Sequence, residues 1–516
     1  METGRPLQRL CRIQIQRLLI LIISLVVVLI VLAQLLAFPY KNDTSILSPV
    51  TKGILVHKVS IYNNTSITHE GVVLNESKRE EGCKGYDCNS ESLVSKIVAK
   101  VNDLGQNVTI PSQPTRLSYM ISVLESVRFN TTLNEKNKEK LSSVHERQLQ
   151  HARMQIEKGH TLASTGGLHA SLYRNVSRFL RSYKLMEDTL KVYIYKEGKK
   201  PIYHDPKLRG IYASEGWFMK LMEKNRHFVV KDPKKAHLFY LPFSSLKLRL
   251  TSQEHTPQSR KNLELYLKNY TTLISRKYPF WNRTNGADHF LVACHDWAMK
   301  LTKDDMGNCI RSLCNSNLAG GFKIGKDTTL PATYIRTSED PVKDLGGKLP
   351  SERPILAFFA GGMHGNLRPI LLRQWHDKEP DMKIFGPMAR DVESKAKYRM
   401  YMKSSKYCIC ARGYEVFTPR IVEAVYYECV PVIISDDYVP PFFEFLDWEG
   451  FSVFVLEKDV GNLSRILRAI SDEKYQEMWE RVKMVQQHFI WHKTPVKFDL
   501  FHMILHSIWT NRVYRT

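Results

Sequence analysis

No Asp-x-Asp triplet occurs anywhere in the 516 residues, which removes the usual signature of a divalent metal held between paired carboxylates. There is no Gly-x-Gly-x-x-Gly run either, so a nicotinamide dinucleotide is disfavoured. Cysteine is scarce at nine residues, and no matching set of histidines accompanies it, which argues against zinc. Internal repeats and low-complexity tracts are missing, so repeat architectures and long disordered tracts of biased composition are excluded. Acidic residues are also short: 52 Asp and Glu face 75 Lys and Arg, a net charge of +23. Such a balance suits anionic partners, whether nucleic acid, acidic polysaccharide or lipid head groups.

The bulk composition, 43% hydrophobic and 25% charged, is that of a globular protein with room for two large domains and extensions. Leu18 to Phe38 is a run of 21 residues without an ionisable side chain, broken only by Ser24 and Gln34. About 20 helical residues span a bilayer, whereas the apolar part of a signal peptide is about 7 to 15. The run is read as a membrane anchor. Arg5, Arg9, Arg12 and Arg17 precede it and hold the N-terminus in the cytosol, so everything beyond Tyr40 faces a lumen or the exterior. That topology argues against nucleic acid. Asn-x-Ser/Thr sites at Asn42, Asn63, Asn64, Asn75, Asn107, Asn130, Asn175, Asn269, Asn282 and Asn462 agree with it, and their crowding before residue 180 suggests a glycosylated stem. Only Cys11 lies on the cytosolic side; Cys83 with Cys88 and Cys309 with Cys314 are close enough to pair in an oxidising space.

Residues 41–150 are polar and show no packed core. Arg116 to Arg128 has helical spacing, and Asn134 to Lys158 is charged and helix-prone, with a face expected in solvent. A first folded domain begins near Ser171. Its strand-length runs are Lys191 to Tyr195, His237 to Leu241 and His289 to Cys294, and helical patterns at Glu215 to Lys224 and Gln258 to Arg276 separate them. Strands alternating with helices imply a parallel sheet, whose ligands gather beyond the C-terminal strand ends. His295, Asp296 and Trp297 stand there, as acid/base or acceptor-holding groups or as a satisfied polar pair beside a core tryptophan.

A second set of elements follows the link Pro341 to Pro354. Ile355 to Ala360 is a strand entering the turn Gly361-Gly362-Met363-His364-Gly365-Asn366, and Leu367 to Trp375 has helical spacing. Arg368 reaches a phosphate from that first turn. The stretch Tyr407 to Asp437 repeats the scheme: strand, Arg412-Gly413 loop, a helix starting at Thr418 and Pro419, and a second strand. A helix mouth there would suit a diphosphate, with Glu423 one turn inside, within reach of a ribose diol. An ordinary buried βαβ unit has the same local pattern. Asp436 and Asp437 read as turn and cap residues. Further on come a strand at Phe451 to Leu456, a helical region from Leu463 to His488, and a helix from Phe498 to Trp509 that is expected to cross back to the first domain.

Taken together, Ile211-Tyr-Ala-Ser-Glu-Gly-Trp217, Ala293-Cys-His-Asp-Trp297, Arg353-Pro-Ile-Leu-Ala-Phe-Phe-Ala-Gly-Gly362, Gly413-Tyr-Glu-Val-Phe-Thr-Pro-Arg-Ile-Val-Glu-Ala424 and Cys429-Val-Pro-Val432 resemble the exostosin-type glycosyltransferases, family 47, in their plant form. The resemblance covers roughly residues 185–490. It implies an α/β protein of GT-B type, two Rossmann-like domains facing a cleft. It also implies a type II Golgi membrane protein that transfers a sugar from a nucleotide sugar, usually a uridine diphosphate sugar, with inversion and with no required cofactor or metal. Carried onto this chain, Glu423 is the ribose ligand, and Arg412, Gly413, Gly361, Gly362, His364 and Arg368 contact the diphosphate. Glu415 and Arg420 touch sugar or phosphate. Asp296 is the favoured base, with Glu215 and His295 as alternatives. The resulting division is a cytosolic tail at 1–17, anchor at 18–38, lumenal stem at 39–170, acceptor-side domain at 171–345, donor domain at 346–490 and C-terminal helix at 491–516. The acceptor is a cell-wall polysaccharide or other glycan, which the basic charge hints is acidic, and a transferase complex is an expected partner. The alternative is a non-catalytic glycan-binding or scaffold subunit of such a complex.

Overall fold

Two five-stranded sheets, parallel throughout, carry the chain. They are seen in a computed structural model that describes residues 116–135, 143–159, 167–252 and 256–515. These all fall within one compact unit, Val108–Thr516. The anchor Leu18 to Phe38, Cys83 and Cys88, and the earlier sequons lie outside the described residues. Among the described residues no helix is long and apolar enough to cross a membrane.

The first sheet runs β1 (Val192–Ile194), β2 (Leu238–Tyr240), β3 (His289–Ala293), β4 (Ile310–Leu313) and β5 (Thr328–Thr329) in simple sequence order. Strands β2, β3 and β4 are buried along their whole length, as expected of a parallel sheet covered on both faces. The helices Ala213–Lys224 and Pro257–Lys277 form where the sequence spacing puts them. Strand β1 has β2 on one side and, on the other, the segment Phe228 to Val230, joined by the parallel bridge Val192 to Val229, so sequence order turns at β1 as the expected Rossmann-like layering requires.

The second sheet is β10 (Val453–Phe454), β9 (Val430–Ile434), β8 (Ser405–Ala411), β6 (Ile355–Ala360) and β7 (Met382–Phe385) in spatial order. Here too the order reverses. Strand β6 has β7 on one side and β8 on the other, the doubly wound arrangement that opens a crevice at the strand ends where direction switches. Both glycine turns singled out in the sequence leave from those two strands. Two parallel α/β sheets of this kind fit a GT-B-like fold.

Several sequence expectations need correction. Helices Arg116–Glu135 and Val144–Lys158 are not a solvated stem: Leu117, Met120, Leu124, Leu149, Ala152 and Ile156 join the hydrophobic core. Tyr514 supplies the focus, with Arg128, Arg153 and Arg178 over its ring at 4.8, 5.3 and 5.8 Å. A distant C-terminal partner of this kind leaves no local trace in the chain. The final helix, Leu500–Val513, lies against β4 and β5, and Asn511 donates to the Asp327 carbonyl at 3.0 Å. Cysteine pairing also departs from sequence proximity. Cys294 bonds to Cys314 and Cys408 to Cys429, tying neighbouring strand ends, while Cys309 stays a buried thiol.

Candidate active site

A cleft of about 660 Å³ opens beyond the C-terminal ends of β6 and β7, against Tyr334 to Arg336 of the segment leaving the first sheet. Gly361, Gly362 and His364 form one wall, Arg420 and Glu423 the floor, and Arg336 and Tyr398 the far side. The size is that of a small-molecule site. Its charge is lopsided: Arg209, Arg336, Arg390, Lys395 and Arg420 line it against the carboxylate of Glu423.

Backbone geometry explains the glycines. Gly365 takes φ +70°, and a Cβ there would stand 2.3 Å from the Gly413 carbonyl, so only glycine lets the two turns touch. A Cβ on Gly361 would likewise meet the Arg420 guanidinium at 2.6 Å. Arg368 then ties the turns together by donating to the Ala411, Arg412 and Gly362 carbonyls at 3.1–3.2 Å. Burial, with Arg420 nearby, pushes its pKa down to about 10. Arg368 is thus a brace of the site rather than an open phosphate ligand.

Arg420 is different. It is buried at 8% exposure; one nitrogen donates to the Ala360 carbonyl at 2.6 Å, and its plane lies 4.7 Å from the Phe359 ring centre. Its Nε and Nη1 atoms are buried without an acceptor among the described residues. Both atoms are closed off from solvent, with the Tyr398 hydroxyl and the Glu423 carboxylate acting on the guanidinium, so Arg420 brings buried positive charge to the cleft it lines, which suits an anion. The helix behind it, Arg420–Tyr426, is a residue later and shorter than the sequence suggests, with Pro419 at its N-cap and Thr418 receiving the Arg420 N–H at 3.4 Å. Two turns have little dipole, so the charge of the site resides in the side chain. Glu423 accepts from Arg336 at 2.8 Å and from Tyr398 at 3.2 Å, leaving lone pairs toward the cleft.

Arg412 does not join this cleft. Its guanidinium turns to Glu457 at 3.3 Å, and Glu457 is in turn held by the Asp436 backbone at 3.1 Å. Asp436 sits in that turn and accepts the Glu457 N–H at 3.0 Å.

A smaller cavity of about 260 Å³ shares Gly362, His364 and Arg420 with the first. Asp296 faces it from beyond β3, and Glu415 from the loop after β8. Tyr212 donates to Asp296 at 2.9 Å; Asn315 donates to the Asp296 carbonyl at 3.2 Å and to Glu415 at 2.8 Å, linking the two loops. Burial raises both carboxyl pKa values above the ordinary range, and for Glu415 the charge of Asp296 adds to the effect. Of the three base candidates only Asp296 faces the cavity. Glu215 is buried and accepts from Ser244, Ser245, Leu246 N and Cys294 N at 2.5–3.1 Å, so it fastens the loop that carries Asp296. The ring of His295 receives the Trp297 N–H at 3.1 Å and packs on Tyr212, turned into its own loop.

Sequence reasoning missed Arg209, Arg336, Arg390, Lys395, Tyr398, Tyr212 and Asn315. Tyr212 lies inside a quoted motif; the others come from loops and a helix flank, with no spacing signal to connect them.

Comparison with known proteins supplies the family. The Exostosin GT47 domain matches residues 186–470. The chain is 44% identical over 345 residues to a probable glycosyltransferase of Arabidopsis thaliana, covering 66% of each chain. It is 42% identical over 351 residues to a second probable glycosyltransferase of that plant, covering 67% of this chain and 72% of the relative. A probable beta-1,4-xylosyltransferase of Arabidopsis thaliana is 28% identical over 345 residues, covering 62% of this chain and 81% of the relative. The chain belongs to the exostosin GT47 family of glycosyltransferases.

Proposed function

We propose that the protein is an inverting Golgi glycosyltransferase, anchored as a single-pass type II membrane protein. It moves a sugar from a nucleotide donor, a uridine diphosphate sugar, onto a cell-wall polysaccharide or related glycan. The buried Arg420 with two unpartnered nitrogens in a cation-lined cleft carries this reading. A diphosphate in the cleft answers that positive charge, and Glu423 takes the ribose hydroxyls. A glycan-binding scaffold has no use for such a cation.

Chemistry follows from the junction of the two cavities. Asp296 accepts the proton of the acceptor hydroxyl, whose oxygen attacks the anomeric carbon from the face opposite the diphosphate. The bond from that carbon to the diphosphate oxygen breaks, and Arg420 steadies the charge that leaves. Attack from the opposite face inverts the anomeric centre. A metal is not needed for this charge balance.

The test is calorimetry of the full-length chain in detergent against uridine, guanosine and adenosine diphosphates, followed by a hydrolysis screen across uridine diphosphate sugars. Selective uridine diphosphate binding with turnover of one sugar supports the reading. Binding without any turnover would favour the scaffold alternative, and no nucleotide binding would defeat both assignments at Arg420 and Glu423.

A further inference from the structure

The smaller cavity has a wall that the donor does not use. Tyr414 is 72% exposed, although aromatic side chains on a soluble surface usually bury most of their ring. It is held in place rather than loose: its ring lies 5.0 Å from that of His364, and the Gly413 N–H to Glu415 carbonyl contact at 3.2 Å closes the turn beneath it. Ile211, 41% exposed, stands among the lining residues with Tyr414, Asp296 and Glu415. An exposed ring and an exposed aliphatic side chain therefore flank two carboxylates.

Sugars present this combination in reverse, with a patch of C–H groups on one face and hydroxyls around the edge. Aromatic rings bind the former, and carboxylates accept hydrogen bonds from the latter. Two of the cations nearby are already engaged: Arg368 donates to three backbone carbonyls and Arg412 pairs with Glu457. Arg420 lines this cavity and the donor cleft alike, and in the transferase reading the donor diphosphate takes its charge. Lys300 acts on Glu415 from outside the lining. With the donor in place, a carboxylate on the incoming sugar would lie directly against Asp296 and Glu415.

We propose that this cavity is the acceptor subsite, that Tyr414 is the platform for the acceptor's terminal sugar ring, and that this sugar is neutral. The assignment deepens the transferase reading above and rests on it for the position of the donor. It reverses the hint of an acidic acceptor drawn from net charge, because the positive charge of the site is on the donor side.

The experiment measures binding of labelled xylo-, gluco- and galacto-tetrasaccharides and of tetragalacturonate to the full-length chain in detergent, with and without uridine diphosphate. At least one neutral oligosaccharide is expected to bind more tightly than tetragalacturonate. Tyr414→Ala weakens that binding by roughly 3- to 10-fold, and Tyr414→Phe restores it, since the ring and not the hydroxyl makes the platform. Glu415→Gln narrows the discrimination against tetragalacturonate. Uridine diphosphate affinity stays unchanged in both Tyr414 variants. Preference for tetragalacturonate, no binding of any neutral oligosaccharide, or unchanged binding by Tyr414→Ala overturns the proposal. Failure of the wild-type chain to bind uridine diphosphate counts against the donor reading separately, because the oligosaccharide arm is scored without nucleotide as well.

Discussion

Arg336 places a guanidinium nitrogen 2.8 Å from a carboxylate oxygen of Glu423, although 87 residues separate them in the chain. The arginine comes from the link leaving the first sheet, and the glutamate from the helix between β8 and β9. The pair aims the carboxylate into the cleft. Glu423→Ala is expected to weaken uridine diphosphate binding by roughly tenfold or more without unfolding the chain. Arg336→Met should weaken it less, because Tyr398 still holds the carboxylate. Calorimetry giving Glu423→Ala the wild-type affinity would remove the ribose assignment.

Arg420 allows a test in which stability and binding move differently. Its unpartnered nitrogens cost the unliganded fold part of what the Ala360 bond contributes. Arg420→Met should therefore leave the melting temperature of the free protein little changed, while the rise induced by saturating uridine diphosphate disappears. A large fall in the free protein would show Arg420 to be a structural residue only.

Asp296→Asn should spare donor binding and lower transfer by about a hundredfold or more, as loss of a general base does. The pH dependence has a definite sign. Burial raises the folded-state pKa, so the active ionised form is lost on acidification sooner than for a free aspartate. For stability, the contribution of this group is present at low pH, when it is protonated, and fades as pH rises through the raised pKa. Asp296→Asn should thus melt at or above the wild-type temperature near neutrality, with the gap closing in acid.

Glu215→Ala should behave in the opposite manner. Removing a carboxylate that serves two hydroxyls and two backbone amides leaves buried donors without acceptors, a loss of roughly 3 kcal/mol or more. Chemical denaturation should show it directly. Soluble protein with normal stability and lost transfer would return Glu215 to the list of bases.

Peptide mapping under non-reducing conditions should find Cys294 joined to Cys314 and Cys408 joined to Cys429. Cys309 and Cys410, both buried thiols whose pKa burial pushes up to about 12, should resist alkylation until the chain is denatured. A Cys309 to Cys314 peptide would contradict the fold around β4.

Much was legible from the chain itself, and for local reasons. Apolar runs of strand length and helical spacing located β6, β8, β9 and the helix Leu367–Trp375, because periodicity is a property of neighbours. The glycine turns and Glu423 could be named because their constraints are also local: a close backbone approach, or one turn of helix. Motif order across residues 185–490 carried the family.

Tertiary structure alone decided which groups meet. Arg412 and Arg368 read as diphosphate contacts and Arg420 as a sugar or phosphate contact, yet Glu457 captures the first and three carbonyls engage the second, and the third lines the cleft. Asp296 was the favoured base with Glu215 and His295 as alternatives, and burial and hydrogen bonding occupy those two. The order of strands, the docking of the early helices on Tyr514 and the Asp296, Asn315 and Glu415 contact all join residues distant in the chain. Residue type states what a side chain can bind; only the packed fold determines whether that capacity has already been used.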